Sequence, residues 1–224
     1  SRSSLIIFCT PVNLIVEGVL SAAPYCASGT LMTDTGSVKG VICHHLKNQL
    51  PPNVHFIGSH PLAGSEKQGY ENASADLYQN KVCIVTPEIV TPEENAPSDQ
   101  QQRLQQLWEF IGMKVSVMSP TEHDDIVART SHLPHLLASA MVQTVLTDET
   151  VHFAASGFRD TTRIAAGDAD LWTSILLDNA DAVLDGLEKY CEVLKEFRRT
   201  LHNRDAQALK NLLQNAKTTR EQLR

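Results

Sequence analysis

The sequence predicts an α/β domain followed by an all-helical one. From Leu5 to Met118, short apolar runs of strand length alternate with helical stretches, the pattern of a doubly wound parallel sheet. From Ser119 to Arg224 there are helical periods and no strand, which sets a domain boundary near Met118 and divides the chain into 1–118 and 119–224. In the second part Val183, Leu187, Tyr190, Leu194, Phe197 and Leu201 step by four and three, a heptad-like seam continued by Leu209, Leu212, Leu213 and Ala216. So long an apolar stripe must be covered, and we expect a second copy of the chain to cover it.

Each element has a local reason. Leu5 to Cys9 is a continuous apolar run, suited to a parallel strand buried on both faces. Thr10-Pro11 ends it, and Pro11 suits the first turn of a helix running to about Ala23. Leu31 to Thr33 is the next strand and leads into Asp34-Thr35-Gly36-Ser37. A helix follows to about Leu50, where Pro51-Pro52 stops it. His55 to Gly58 is the third strand and Lys81 to Val85 the fourth, with a loop rich in Pro, Glu and Asn from Pro87 to Asp99. Gln100 to Ile111 reads as a helix and Lys114 to Met118 as a strand. Ser119-Pro120-Thr121-Glu122 starts a helix with an N-cap serine, a first-turn proline and the glutamate of a capping box. Pro134 falls within the helical pattern that follows and should kink or break it.

Composition narrows the class. With 42% apolar and 20% charged residues the chain has ordinary globular make-up. A net charge of -7 with no basic stripe argues against a nucleic-acid surface. No apolar run approaches the ~20 residues of a membrane span, and no signal peptide is evident. The five cysteines are scattered, never spaced Cys-x-x-Cys, and read as reduced residues of a cytoplasmic protein.

The candidate chemistry centres on Ile57 to Gly69, which packs three glycines and one proline into thirteen residues after a strand. We expect a loop there, carrying His60, Glu66 and Lys67 at the end of a buried strand, where an α/β protein usually places its chemistry. Asp34-Thr35-Gly36 superficially matches an aspartic protease, but there is no second copy and the surroundings are α/β. His123, His132 and His135 lie along one helical stretch. No convincing acidic or cysteine ligand is spaced beside them, so a metal site is not expected. Arg159, Asp160 and Arg163 form a polar cluster between helices; the arginines could meet a carboxylate, or Asp160 could simply pin the loop.

Four blocks, in order, carry a resemblance: Asp34-Thr35-Gly36-Ser37-Val38-Lys39-Gly40, Gly58-Ser59-His60-Pro61-Leu62-Ala63-Gly64-Ser65-Glu66-Lys67, Ser131-His132-Leu133-Pro134-His135 and Gly157-Phe158-Arg159-Asp160-Thr161-Thr162-Arg163. Over nearly the whole chain the sequence resembles the prephenate dehydrogenases, a family that includes arogenate and cyclohexadienyl dehydrogenases. The resemblance implies a Rossmann-like domain followed by a helical dimerisation domain, a homodimer, and NAD or NADP as cofactor. The implied reaction is oxidative decarboxylation of prephenate or arogenate. By the same resemblance His60 accepts the proton of the ring hydroxyl and Ser37 hydrogen-bonds that hydroxyl. Arg163 grips a substrate carboxylate, and His135, Glu66, Trp172, His123 and Gly157 line the substrate pocket. Arg159 and Asp160 are implied to reach it across the dimer. Thr10, Pro11, Val12 and Asp34 touch the cofactor.

One departure stands out. The family's Gly-x-Gly-x-x-Gly loop, which seats a pyrophosphate at a helix N-terminus, is absent, and the sequence opens at a strand expected late in such a domain. We therefore expect a truncated chain, a partial Rossmann-like domain inactive alone. The competing expectation is a non-catalytic dimeric or ligand-sensing fragment that keeps the pocket without the cofactor site. A hydroxyacid dehydrogenase with another substrate fits the Gly-Ser-His-Pro block and the arginines less well.

Overall fold

A computed structural model describes residues 3–52, 54–64, 69–87 and 99–223. The chain forms two compact units, Ser1–Val183 and Leu184–Arg224.

The first unit opens with β1 (Leu5–Phe8), α1 (Val12–Ala22), β2 (Leu31–Asp34), α2 (Gly40–Leu46) and β3 (His55–Phe56). β1, β2 and β3 are parallel neighbours in that order, with Leu5 opposite Leu31 and Leu31 opposite His55. β2 is buried along its whole length, as a central strand should be. β1 was expected to be buried on both faces, but it lies at the sheet edge and Ile7 is partly open to solvent. Helix α1 turns Val12, Ile15 and Val19 into a core with Met32, Val38 and Ile42.

After Phe56 the chain changes ladder. Ile57 still donates its N–H to the Met32 carbonyl at 3.0 Å. Residues Gly58–Pro61 then form β4, antiparallel to β5 (Val82–Thr86), which pairs in parallel with β6 (Lys114–Val117). The strands thus form two three-stranded sheets: β1–β3 is wholly parallel as expected, β4–β6 is mixed through its antiparallel β4, and His60 sits on a strand opposite Ile84 where a loop was expected. Pro61 ends that strand, a position where a missing N–H costs least. Helix α3 (Asp99–Phe110) covers this ladder with Leu104 and Trp108.

Helices complete the unit: α4 (Pro120–Val127), α5 (Leu133–Val145), α6 (Ser156–Thr162) and α7 (Ala169–Asp178). The expected capping box is present: Ser119 Oγ accepts from Glu122 N–H at 3.2 Å, and Glu122 Oε2 accepts from Ser119 N–H at 2.9 Å. The break expected at Pro134 takes the form of a wide π-type turn, Ala128–His132, with Pro134 in the first turn of α5. Helix α8 (Ala180–His202) runs into the second unit, which it forms with α9 (Ala206–Arg220). Asp205 caps α9 by accepting Ala208 N–H at 2.9 Å. In that unit Leu194 and Leu201 of the expected seam are 48% and 61% exposed, so a single chain leaves these two positions uncovered.

Candidate active site

The site begins with a turn gripped by a carboxylate. Asp34, at the end of β2, is fully buried. Its Oδ2 accepts the Gly36 N–H at 2.9 Å and the Lys39 ammonium, while Oδ1 accepts the Ser59 N–H at 3.2 Å. Lys39 is also fully buried, so the pair satisfies two charges that could not otherwise stay in the interior. Ser59 Oγ donates to the Asp34 carbonyl at 2.7 Å, tying the same turn to β4. Asp34, expected at the cofactor, thus faces inward and spends both oxygens on the protein; its side chain shapes the turn that carries Ser37. Val12, expected with it, is buried in the α1 core, whereas Thr10 and Pro11 are exposed at the carboxyl end of β1. Thr35 N–H donates to the Phe8 carbonyl at 3.1 Å, which holds the two strand ends together.

β4 presents His60 beside this turn. Its Nδ1 lies 2.8 Å from His123 Nε2, and His123 Nδ1 lies 2.7 Å from Asp124 Oδ1. The two rings meet edge to face, with centroids 5.1 Å apart. Asp124 returns to the turn from the other side, accepting the N–H groups of Lys39 and Gly40, each at 2.8 Å. Burial, then the neighbouring His123, Lys39 and His132, push the His60 pKa well below 6.5, so the ring is neutral. His123, expected in the substrate pocket, is instead fully buried behind His60 with both ring nitrogens engaged, which leaves none for a metal.

A second histidine cluster lies along the wide turn and α5. Asn179, buried after α7, places its Nδ2 2.8 Å from the Asp124 carbonyl oxygen and 3.2 Å from His132 Nδ1. His135 stacks on Trp172 of α7, centroids 3.5 Å apart and planes 14° from parallel, and His132 meets the same indole edge-on. A Cβ at Gly167 would lie 2.6 Å from Trp172 Nε1 and 3.0 Å from His135 Cε1, so glycine is what lets the main chain approach this stack. Among the described residues His135 Nδ1 is buried without a hydrogen-bond partner, the signature of a group that waits for one. Gly157, Arg159 and Asp160 are exposed on α6, with Arg159 Nε donating to the Ala154 carbonyl at 3.0 Å. Arg163 opens the short 3-10 turn Arg163–Ala166, which packs on α5. Glu66 lies outside the described residues.

His60, His123, Asp124, Asn179, His132, Trp172 and His135 therefore form one continuous chain of contacts. Sequence reading found the histidines and Trp172 and missed Lys39, Asp124 and Asn179. Asp124 adjoins His123 in sequence, but its partners Lys39 and Gly40 are more than eighty residues away and give no local signal. All five cysteines are free; burial pushes Cys43 up to about 11 and Cys83 up to about 12, so neither is a thiolate nucleophile near neutral pH.

A neutral histidine on a nucleotide-fold sheet, backed by a helical cluster with an unsatisfied polar atom, is the arrangement of a two-domain dehydrogenase. Comparison with known proteins gives the particular group. Residues 1–117 match the nucleotide-binding domain of prephenate dehydrogenase and residues 119–215 its dimerization domain, and the chain belongs to the prephenate dehydrogenase family. It is 33% identical over 214 residues to a cyclohexadienyl dehydrogenase of Zymomonas mobilis, covering 93% of this chain and 71% of that protein. It is 34% identical over 230 residues to a prephenate dehydrogenase of Lactococcus lactis, covering 98% of this chain and 61% of the relative's length. The crystal structure of prephenate dehydrogenase from A. aeolicus in complex with hydroxyphenyl propionate and NAD+ superposes with a TM-score of 0.88 at 30% identity, over 99% of this chain and 77% of that one.

Proposed function

We propose that this chain is the catalytic part of a prephenate or arogenate dehydrogenase, which oxidatively decarboxylates a cyclohexadienol acid using NAD or NADP. The observation that carries the proposal is His60: neutral, half-buried, bound through Nδ1 to His123, with no partner for its other ring nitrogen among the described residues. Such a nitrogen is a competent acceptor for the hydroxyl proton. Thr10, Pro11 and the Thr35–Ser37 main chain would hold a nicotinamide, which would supply the acceptor for the hydride. The fit rests on those exposed positions, on strand ends held together by the Thr35–Phe8 hydrogen bond, and on the nucleotide-binding domain match.

In this reading His60 takes the hydroxyl proton while the C–H bond on the same carbon breaks, its electron pair leaving as hydride, so that the C–O bond gains double-bond character; Ser37 holds the hydroxyl in line. The bond from ring to carboxylate then breaks, its electron pair aromatises the ring, carbon dioxide leaves, and the resulting phenolate oxygen takes a proton back. The orphaned His135 nitrogen and Trp172 form a floor for the ring, and Arg163 clamps a carboxylate with Arg159 and Asp160 nearby. Domains divided at 118/119 agree with the spans of the two family matches. A homodimer through the C-terminal helices fits the uncovered Leu194 and Leu201. A cytoplasmic location fits five free cysteines, and no described helix is long and apolar enough to cross a membrane.

The test is turnover of prephenate and of arogenate with either cofactor, read as reduced-nicotinamide absorbance. His60→Asn should lower kcat by roughly two to four decades, the usual scale for a general base, at unchanged melting temperature. An unimpaired variant would remove His60 from the chemistry.

A further inference from the structure

We propose that His123 and Asp124 are positioning residues for His60: they fix which of its ring nitrogens carries the proton and receive the charge when it is protonated. The inference rests on the reading of His60 as proton acceptor.

The argument starts at the carboxylate. Asp124 is nearly fully buried and held by two main-chain N–H groups, from Lys39 to Oδ1 and from Gly40 to Oδ2. A Cβ at Gly40 would stand 2.7 Å from Oδ2, so only glycine admits this approach. An ionised carboxylate can only accept, so His123 Nδ1, 2.7 Å from Oδ1, must donate. Neutral His123 then carries its lone pair on Nε2. That lone pair faces His60 Nδ1 at 2.8 Å, so Nδ1 must be the N–H of His60. The basic nitrogen of His60 is therefore Nε2. The assignment follows from a chain of obligations that begins at main-chain amides.

The same chain answers an electrostatic difficulty. The groups facing His60 are His123 from α4, Lys39 from the β2–α2 connection, His132 from the wide turn and the Cys83 thiol from β5. None of these is an anion, and Lys39 is a cation already matched by Asp34. Among the described residues, a proton arriving at Nε2 would leave an imidazolium without a counter-charge in its first layer. Through Nδ1–H and His123 Nε2 the proton can move one step, so that an imidazolium at His123 meets the Asp124 carboxylate. The balance is simple: the substrate O–H breaks and one N–H forms at His60 Nε2, then one N–H breaks at His60 Nδ1 and one forms at His123 Nε2.

Nitrogen-15 NMR of the histidine-labelled full chain, without substrate or cofactor, should find both His60 and His123 as neutral Nδ1–H tautomers near pH 7.5. An Nε2–H form of either ring would overturn the proposal whether or not any variant folds. Kinetics supply the second arm. His123→Phe should lower kcat on the order of a hundredfold with KM nearly unchanged and displace the acidic limb of the pH profile, as expected when a general base loses its support. His123→Gln, whose amide oxygen can still accept from Nδ1–H, should recover part of the loss. Asp124→Asn should approach the effect of His123→Phe, since a neutralised carboxylate no longer fixes which nitrogen of His123 carries the proton. If His123→Phe keeps kcat and pH profile while His60→Asn loses turnover, the positioning role is wrong and the dehydrogenase reading stands. If His60→Asn is also silent, that reading falls.

Discussion

Two buried carboxylates grip the same short turn, Thr35 to Lys39, from opposite ends. Asp34 holds the Gly36 N–H and the Lys39 side chain; Asp124 holds the Lys39 and Gly40 N–H groups. Both use main-chain donors, and both are capped by a glycine that a Cβ would push away, 2.9 Å from Asp34 Oδ2 at Gly36 and 2.7 Å from Asp124 Oδ2 at Gly40. They differ in their side-chain partner. An ammonium can only donate, so Asp34–Lys39 is a fixed strut. Histidine has a second ring nitrogen, and His123 turns it to His60, so Asp124–His123 can pass its hold on to the site. The grip on the turn does not separate the two; the second nitrogen of the partner does.

The largest expected effect tests the strut. Asp34→Ala would leave a fully buried ammonium without its counter-charge, at a cost of roughly 3–5 kcal/mol. Urea denaturation should show that loss, or a chain that no longer folds. The double variant Asp34→Asn/Lys39→Met should recover most of the stability, because two neutral groups need no mutual compensation. A single variant as stable as the wild type would mean that the pair is hydrated.

The paired glycines give a smaller and more discriminating comparison. Gly36→Ala drives a methyl against Ile15 Cδ1 at 2.8 Å as well as against Asp34, inside the core of α1. Gly40→Ala meets only Asp124. Each should cost about 1–3 kcal/mol by overpacking. Gly36→Ala should show mainly as lost stability. Gly40→Ala should show also as lost turnover, because the displaced carboxylate no longer fixes His123. Equal kcat losses in the two variants would erase the distinction between strut and relay.

The contrast also explains what could be read without coordinates. The Ser119–Glu122 capping box is local, three residues apart, and was legible at once; so was the helical course of α8. The turn's own carboxylate, five residues from Lys39, is nearly local, yet nothing in the letters tells a solvated aspartate from a buried one. Asp124 and Asn179 were illegible because their partners come from elements that only tertiary packing brings together. His60 was correctly singled out but placed in a loop. The glycines and proline around it are loop formers by composition, and strand β4 exists only because β5, more than twenty residues on, offers it an antiparallel edge.

The smallest effect is a pH dependence at the far end of the same contact chain. Asn179 joins the Asp124 carbonyl to His132, which also meets the Trp172 ring, His123, His135 and the Ser37 main chain. Burial lowers the His132 pKa from 6.5 to about 4, with His123 and His135 acting in the same direction and Asp124 against it. A histidine depressed in the folded state binds its proton more weakly there than in the unfolded chain. Its contribution to stability is therefore complete above pH 6.5 and is lost as the pH falls through the window down to about 4. The slope for one proton cannot exceed about 1.4 kcal/mol per pH unit. His60 and His135 are lowered too, so the whole protein should lose stability more steeply than one site allows. His132→Gln removes one of these protons and keeps an amide that can accept from Asn179. Its unfolding free energy, measured at half-unit steps between pH 7 and 4, should fall more gently than that of the wild type by at most one proton's slope. Parallel curves would mean that His132 is already charged, or already open to water, and that the buried chain from Asp124 stops at Asn179.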